Sequence, residues 1–78
     1  METWTIIENN LVKEFSYKNF IESVRFIDAI AEVAEKHNHH PDILLHDYKK
    51  VKIMLFTHSE NKITDKDYAL AKAIDELA

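Results

Sequence analysis

The sequence predicts an α+β domain in which two helices pack on one face of a four-stranded antiparallel sheet, in the order β-β-α-β-β-α. Two kinds of periodicity support this fold class. Apolar and polar residues alternate near the start of the chain and again over residues 50–58, as in half-buried strands. Apolar residues recur every three to four positions over residues 17–37 and 64–77, as in amphipathic helices. No linker, repeat or low-complexity segment interrupts the pattern, so residues 1–78 are interpreted as a single domain.

The first two strands are predicted to form a β-hairpin. Residues 3–7 alternate weakly, with Trp4 and Ile6 on one side, and over residues 11–15 Leu11, Lys13 and Phe15 alternate with Val12 and Glu14. Asn9 and Asn10 lie between them, and asparagine tolerates the positive φ angles of a tight hairpin turn better than most non-glycine residues. The turn is therefore placed at Asn9-Asn10.

The first helix is predicted over residues 17–37, with Asn19 and Glu22 as a capping pair. Its apolar stripe is broader than contact with one sheet requires. The stripe contains Phe20, Ile21, Val24, Phe26, Ile27, Ile30, Ala31, Val33 and Ala34. A chain this short buries only about 60% of the surface that its unfolded form exposes, so a helix of a second subunit is favoured as the cover of the excess. The alternative is a well-buried helix in a monomer.

The second half of the chain is predicted to contain a hairpin and a final helix. Pro41 ends the first helix, because proline disfavours the helical conformation in the residue before it. Strands are predicted over residues 42–47 and 50–58. Thr64 and Asp67 form a pattern resembling a capping box at the start of the last helix. The predicted buried face of that helix is Leu70, Ala71, Ile74 and Leu77.

Composition excludes several classes of function. The chain has no cysteine, which excludes disulfides and thiolate metal sites, and no glycine, which excludes P-loops and dinucleotide fingerprints. The net charge is −4 and the basic residues are scattered, which argues against binding nucleic acid. No apolar run approaches the roughly 18 residues of a membrane span. No signal peptide is visible, so a cytoplasmic location is expected.

The histidines are the candidate chemical groups. His39 and His40 follow the first helix, and His58 ends the strongest strand. If that strand pairs with the strand after His40, the three imidazoles approach one another. An imidazole has an unperturbed pKa of about 6.5 and can both give and take protons near neutrality. Such a cluster suits a dehydration, in which one group protonates a leaving hydroxyl and another removes a proton. Glu35 is placed to orient an imidazole or to bind a polar atom of a ligand.

Some histidines have other interpretations. His37 lies at a helix C-terminus, where a partly charged imidazole is favourable, and is interpreted as structural or solvated; His46 is given no function. His37, His39 and His40 together with Glu35 are an alternative zinc or nickel site. Adjacent histidines in an extended segment point to opposite faces, however, so the interpretation without metal is favoured.

The histidines belong to a longer recognisable pattern. It consists of Glu35-Lys36-His37-Asn38-His39-His40-Pro41, Tyr48, Thr57-His58, Thr64 and Asp67. This pattern resembles the signature of the pterin-4a-carbinolamine dehydratase family, and Phe15–Phe20 resembles that family's strand-to-helix segment. The resemblance extends from about Leu11 to Leu77.

The resemblance implies a reaction and a site. Family members remove the 4a-hydroxyl and the nitrogen-5 proton of 4a-hydroxytetrahydropterin, without cofactor or metal, and form homodimers or homotetramers. By position, His39, His40 and His58 would be catalytic. The implied pterin-binding residues are Glu35, Asn38, His39, His40, Phe56, Thr57, His58 and Ser59. Asp67 would cap the last helix and help to orient the site without touching the substrate or carrying a proton.

The resemblance also leaves alternatives open. Some family members stabilise the dimer of a transcription factor, so a dimerisation or binding module is the second interpretation. A related pterin dehydration outside amino-acid hydroxylation is the third. The sequence departs from longer members by lacking their N-terminal helix, and the stretch from Pro41 to Tyr48 is long for the family. The loop before the last helix lacks glycine, so Asn61 is expected to adopt the left-handed conformation.

Overall fold

The computed structural model describes residues 3–78 and confirms the predicted element order. The elements are β1 Thr5–Ile7, β2 Asn10–Ser16, α1 Phe20–His37, β3 Asp42–His46, β4 Lys50–Leu55 and α2 Asp65–Leu77. The four strands form one antiparallel sheet in the order β1-β2-β4-β3, so the two longer strands are central and β1 and β3 are the edge strands. No helix among these residues is long and apolar enough to cross a membrane.

Both hairpin turns use positive φ angles without glycine. In the first hairpin the turn residues are Glu8 and Asn9, with φ of 48° and 65°, and Ile7 pairs with Asn10. The prediction of a turn at Asn9-Asn10 was therefore wrong by one position, because Asn10 already belongs to the ladder of β2. In the second hairpin Asp47 and Tyr48 have φ of 51° and 50°. β3 ends at His46, one residue earlier than predicted.

Helix α1 begins at Phe20 rather than at residue 17. Asn19 is still extended, with φ of −154°, and its Oδ1 accepts a hydrogen bond from the Glu22 N–H at 2.9 Å. An extended N-cap residue whose side chain satisfies a first-turn donor fixes the start of a helix. The capping role predicted for Asn19 is confirmed, and it excludes residues 17 and 18 from the helix.

Helix α1 has a buried face and an exposed apolar face. The buried residues are Ser23, Phe26, Ile30 and Ala34. Phe20, Ile21 and Val24 lie outside the core, with 53%, 60% and 37% of their surfaces exposed. The stripe is thus broader than the sheet contact uses, as the sequence predicted.

The core lies between one face of the sheet and both helices. Its buried members are Leu11, Phe26, Ile30, Val51, Ile53, Leu55, Leu70, Ala71 and Ile74. The alternation predicted for the strongest strand is confirmed, since every second residue of β4 from Val51 is fully buried. Leu77 is 39% exposed, contrary to the prediction that it completes the buried face of α2. It is the last residue of the helix, where neighbours are fewer.

A buried ion pair ties the end of α2 to the sheet. Lys13 points toward the helices, and its Nζ lies 2.8 Å from Oδ1 of Asp75. The indole N–H of Trp4 donates to the other carboxylate oxygen at 3.0 Å. Burial of a lysine requires such a partner, because an unpaired ammonium in the core is strongly destabilising.

Candidate functional site

The three predicted catalytic histidines line one cleft, beside the end of β4 and the first turn of α2. The cleft has a volume of about 270 Å³. Its walls are formed by Asn38, His39, His40, Phe56, Thr57, His58, Ser59 and Lys66. Seven of these were predicted as site residues from the sequence. Lys66 was missed, although its position beside Asp67 in the first turn of the helix was a signal that it faces the same region.

The C-terminus of α1 delivers His39 and His40 to the cleft. Asn38 adopts the left-handed conformation, with φ of 50°, and its N–H bonds back to the last turn of α1. The His39 N–H also bonds back, to the carbonyl of Ala34 at 3.2 Å. This left-handed helix ending satisfies orphan carbonyls and reverses the chain direction. The two histidines therefore leave the helix together and lead directly into β3.

The segment after β4 carries the third histidine. The ladder of β4 ends at Leu55 rather than at the predicted residue 58, but Thr57 still forms a bridge with Lys62. The alternation continues, so Thr57 is 2% exposed while His58 is exposed at the cleft. Asn61 closes this loop with φ of 56°, which confirms its predicted left-handed conformation.

A fully buried carboxylate, Asp67, organises the site from behind. Its Oδ1 lies 2.5 Å from Nε2 of His39. Its Oδ2 accepts from the Thr57 hydroxyl at 2.7 Å and from the Thr64 N–H at 2.9 Å. The hydroxyls of Thr57 and Thr64 are also 2.7 Å apart, and because Thr57 donates to Asp67, Thr64 must donate to Thr57. The predicted capping box is present in full, and it is part of a larger network.

The hydrogen bonds of this network decide the ionisation of Asp67. Burial raises the pKa of the carboxyl group, but donation from His39, the Thr64 N–H and Thr57 outweighs burial and holds the pKa below its usual value. Asp67 is thus a carboxylate at neutral pH, and it accepts hydrogen bonds only.

Asp67 also fixes the protonation pattern of His39. Since the carboxylate can only accept, Nε2 of His39 must carry the hydrogen. In the neutral ring, Nδ1 then holds the lone pair, and a proton taken there gives an imidazolium stabilised by Asp67. The arrangement can orient one imidazole as a proton acceptor.

The other two histidines are held less tightly. Nε2 of His40 lies 2.5 Å from Oε2 of Glu35, and both side chains are exposed at the rim. Glu35 thus contacts an imidazole, as an orienting residue would, but it does not itself line the cleft. The His58 ring packs edge-on against Phe56, with ring centroids 5.0 Å apart.

The remaining candidates lie apart from the cleft lining. Nε2 of His46 is 2.8 Å from Oε2 of Glu14, on the sheet, and His37 remains at the end of α1. Across residues 3–78, no group of three His, Asp or Glu side chains is close enough to hold a metal ion. His39 and His40 do diverge, toward Asp67 and Glu35 respectively.

Comparisons with known proteins agree with the resemblance read from the sequence. The sequence model of the family described as pterin 4 alpha carbinolamine dehydratase matches residues 1–77. A relative from Sulfolobus acidocaldarius is 43% identical over 99% of this chain and 84% of its own length. One from Aquifex aeolicus is 44% identical over 99% of this chain and 77% of its own. Both are provisionally named as pterin-4-alpha-carbinolamine dehydratases.

Two solved structures share the fold. A protein from Brucella melitensis, described as a transcriptional coactivator/pterin dehydratase, superimposes with a TM-score of 0.88 at 31% identity and covers 96% of this chain and 81% of its own. A pterin dehydratase-like protein, described as a RuBisCO assembly factor in the alpha-carboxysome, gives a TM-score of 0.81 at 25% identity, covering 97% and 89%. Proteins of this fold thus carry descriptions of more than one kind.

Proposed function

We propose that this chain, which belongs to the pterin 4 alpha carbinolamine dehydratase family, dehydrates a 4a-hydroxytetrahydropterin to the quinonoid dihydropterin. The observation that carries the proposal is the cleft in which His39, fixed by the buried Asp67, meets His40 and His58. General acid and base groups must be held in one pocket to act on one substrate, and this pocket holds three imidazoles.

The reaction needs two proton transfers and no redox step. One imidazolium protonates the 4a-hydroxyl, the C4a–O bond breaks and water leaves. Another imidazole takes the nitrogen-5 proton, and the N5–C4a double bond forms. His39 and His40 each have a carboxylate within hydrogen-bond distance, which can hold the ring in place while it gives or takes a proton during turnover. Neither transfer requires a metal or a cofactor.

The test is turnover of 4a-hydroxytetrahydropterin, followed by ultraviolet absorbance, in the presence and absence of a chelator. We expect acceleration that the chelator does not change. His40→Ala and His58→Ala should each lower kcat by about 10²- to 10⁴-fold, the usual contribution of a positioned acid or base. Both side chains are exposed, so the variants should fold.

His46→Ala is the matched control, because it removes an imidazole that is paired with Glu14 outside the cleft. It should keep wild-type turnover. Full activity in folded His40→Ala and His58→Ala variants would contradict the mechanism. Activity lost with the chelator would favour the metal interpretation instead.

We further propose that the chain forms a homodimer or homotetramer through the exposed apolar face of α1. Phe20, Ile21 and Val24 support this proposal, because water-exposed apolar side chains clustered on one helix favour association. Ile21→Glu should reduce the assembly to monomers in light scattering. Ile6→Glu is the control, because Ile6 lies on β1 and is as exposed as Ile21 on α1, at 62% against 60%. If only Ile6→Glu dissociated the assembly, the subunits would associate through the edge of the sheet instead.

A binding or dimerisation module is the second candidate function. It is favoured by the two solved relatives described as a coactivator/dehydratase and as an assembly factor, and by the exposed face of α1. A folded protein without dehydratase activity, whose oligomeric state still depends on Ile21, would support this candidate over catalysis.

A further inference from the structure

The cleft differs in charge from the chain that forms it. The protein has 14 acidic and 10 basic residues, not counting histidine, yet no carboxylate of residues 3–78 lines the cleft. The two acids that contact lining histidines are paired with them, Glu35 with His40 and Asp67 with His39. The lining instead contains three imidazoles and one lysine, Lys66. A pocket with this composition favours a ligand of negative charge.

Lys66 supplies the only ammonium group among the lining residues that the structure describes. Lys13, Lys18 and Lys50 each lie within 4.0 Å of a carboxylate. Over residues 3–78 no such ion pair is found for Lys66, whose side chain is exposed in the first turn of α2. Its backbone N–H bonds to Oγ1 of Thr64 at 3.3 Å, which anchors the residue at the cleft wall while its ammonium stays available.

We infer that Lys66 binds an anionic group of the substrate, so that the cleft takes a pterin whose side chain carries a carboxylate or a phosphate. The inference rests on the proposed function, because it assumes that the ring system lies among the histidines. Lys66 then acts as a specificity residue for the substituent and takes no part in the proton transfers. Carboxylate and phosphate share the chemistry that an ammonium recognises.

The experiment is equilibrium binding of stable pterins, measured by their own fluorescence. Four probes suffice: pterin, 6-hydroxymethylpterin, 6-carboxypterin and 6-hydroxymethylpterin phosphate. We expect the anionic probes to bind the wild-type protein about 3- to 10-fold more tightly than the neutral ones, the range for a partly exposed ion pair or charge-assisted hydrogen bond. Lys66→Gln should abolish this preference and leave the affinity for neutral probes unchanged.

Lys72→Gln is the control. It makes the same change on an exposed residue of the same helix that does not line the cleft, so the anion preference should persist. Whichever of the two anionic probes, carboxylate or phosphate, shows the larger gain in affinity over the neutral probes identifies the preferred anion. Equal binding of all four probes, unaffected by Lys66→Gln, would overturn the inference while leaving pterin binding intact. Failure of the folded wild-type protein to bind any pterin would overturn the proposed function as well.

Discussion

Helix α2 carries two carboxylates that contact the rest of the fold, one at each end, and they serve different purposes. Asp67, in the first turn, is fully buried and accepts from His39, Thr57 and the Thr64 N–H. Asp75, in the last turn, accepts from Lys13 and Trp4, and its side chain is 35% exposed. Both join α2 to another part of the chain, but only the partners of Asp67 include residues of the cleft.

The comparison shows that the partner of a carboxylate indicates its role. A lysine paired with an acid satisfies two charges and fixes the packing of helix on sheet. An imidazole paired with an acid keeps a second nitrogen that can exchange protons. Under the proposed function, the first turn of α2 therefore supports the chemistry of the cleft, and the last turn supports the fold. Three measurements test this difference.

The largest effect is expected from Asp67→Asn. The amide can no longer hold the His39 imidazolium, and kcat should fall by about 10- to 100-fold, as for other partners that orient a functional histidine. The dependence of kcat on pH should also change, because the carboxylate that fixes the tautomer of His39 is removed. A purely structural role would lower stability and leave the pH profile of the remaining activity unchanged.

A smaller and different effect is expected from Asp75→Asn. It leaves the Lys13 ammonium without its counter-charge, which should lower the free energy of unfolding by about 1–2 kcal/mol, less than for a fully buried pair because Asp75 is partly exposed. Urea unfolding measures the loss, and kcat at a permissive temperature should stay at the wild-type value. A fall in kcat comparable with that of Asp67→Asn would show that the two ends of α2 are not separable.

The smallest effect is a pH dependence of stability. The folded-state pKa of Asp67 lies below its unfolded value, so its stabilising contribution is complete above the unfolded pKa of about 3.9. That contribution is lost as pH falls through the lower, folded-state pKa. The difference in unfolding free energy between wild type and Asp67→Asn should therefore shrink when urea titrations are carried out below about pH 3.9. A difference that grows below that pH would contradict the lowered pKa.

Local features of the fold were predictable because their causes lie within a few residues. The cap at Asn19, the capping box of Thr64 and Asp67, and the left-handed Asn61 each depend on neighbouring backbone groups. The turn at Asn9-Asn10 was misplaced for a related reason. Several residues near a turn tolerate positive φ, and strand register chooses between them.

The site was predictable as a set of residues but not as a set of contacts. The sequence placed His39, His40 and His58 together through the expected pairing of β3 with β4. It could not show that Asp67 contacts His39, since the two are 28 positions apart and lie on different elements. It also gave no sign that the lysine at position 13, on an otherwise apolar strand face, would be buried against Asp75.

The element order, the helix caps, the alternating faces of the strands and the family resemblance could be read from the sequence, because these depend on periodicity and short-range hydrogen bonding. The three-dimensional structure was needed to show which carboxylate faces which cation. It was also needed to show that residues 3–78 contribute no acid to the cleft that Lys66 lines, and that Phe20, Ile21 and Val24 stay outside the core. Those outcomes depend on how the helices sit on the sheet, which brings together side chains that are distant in the chain.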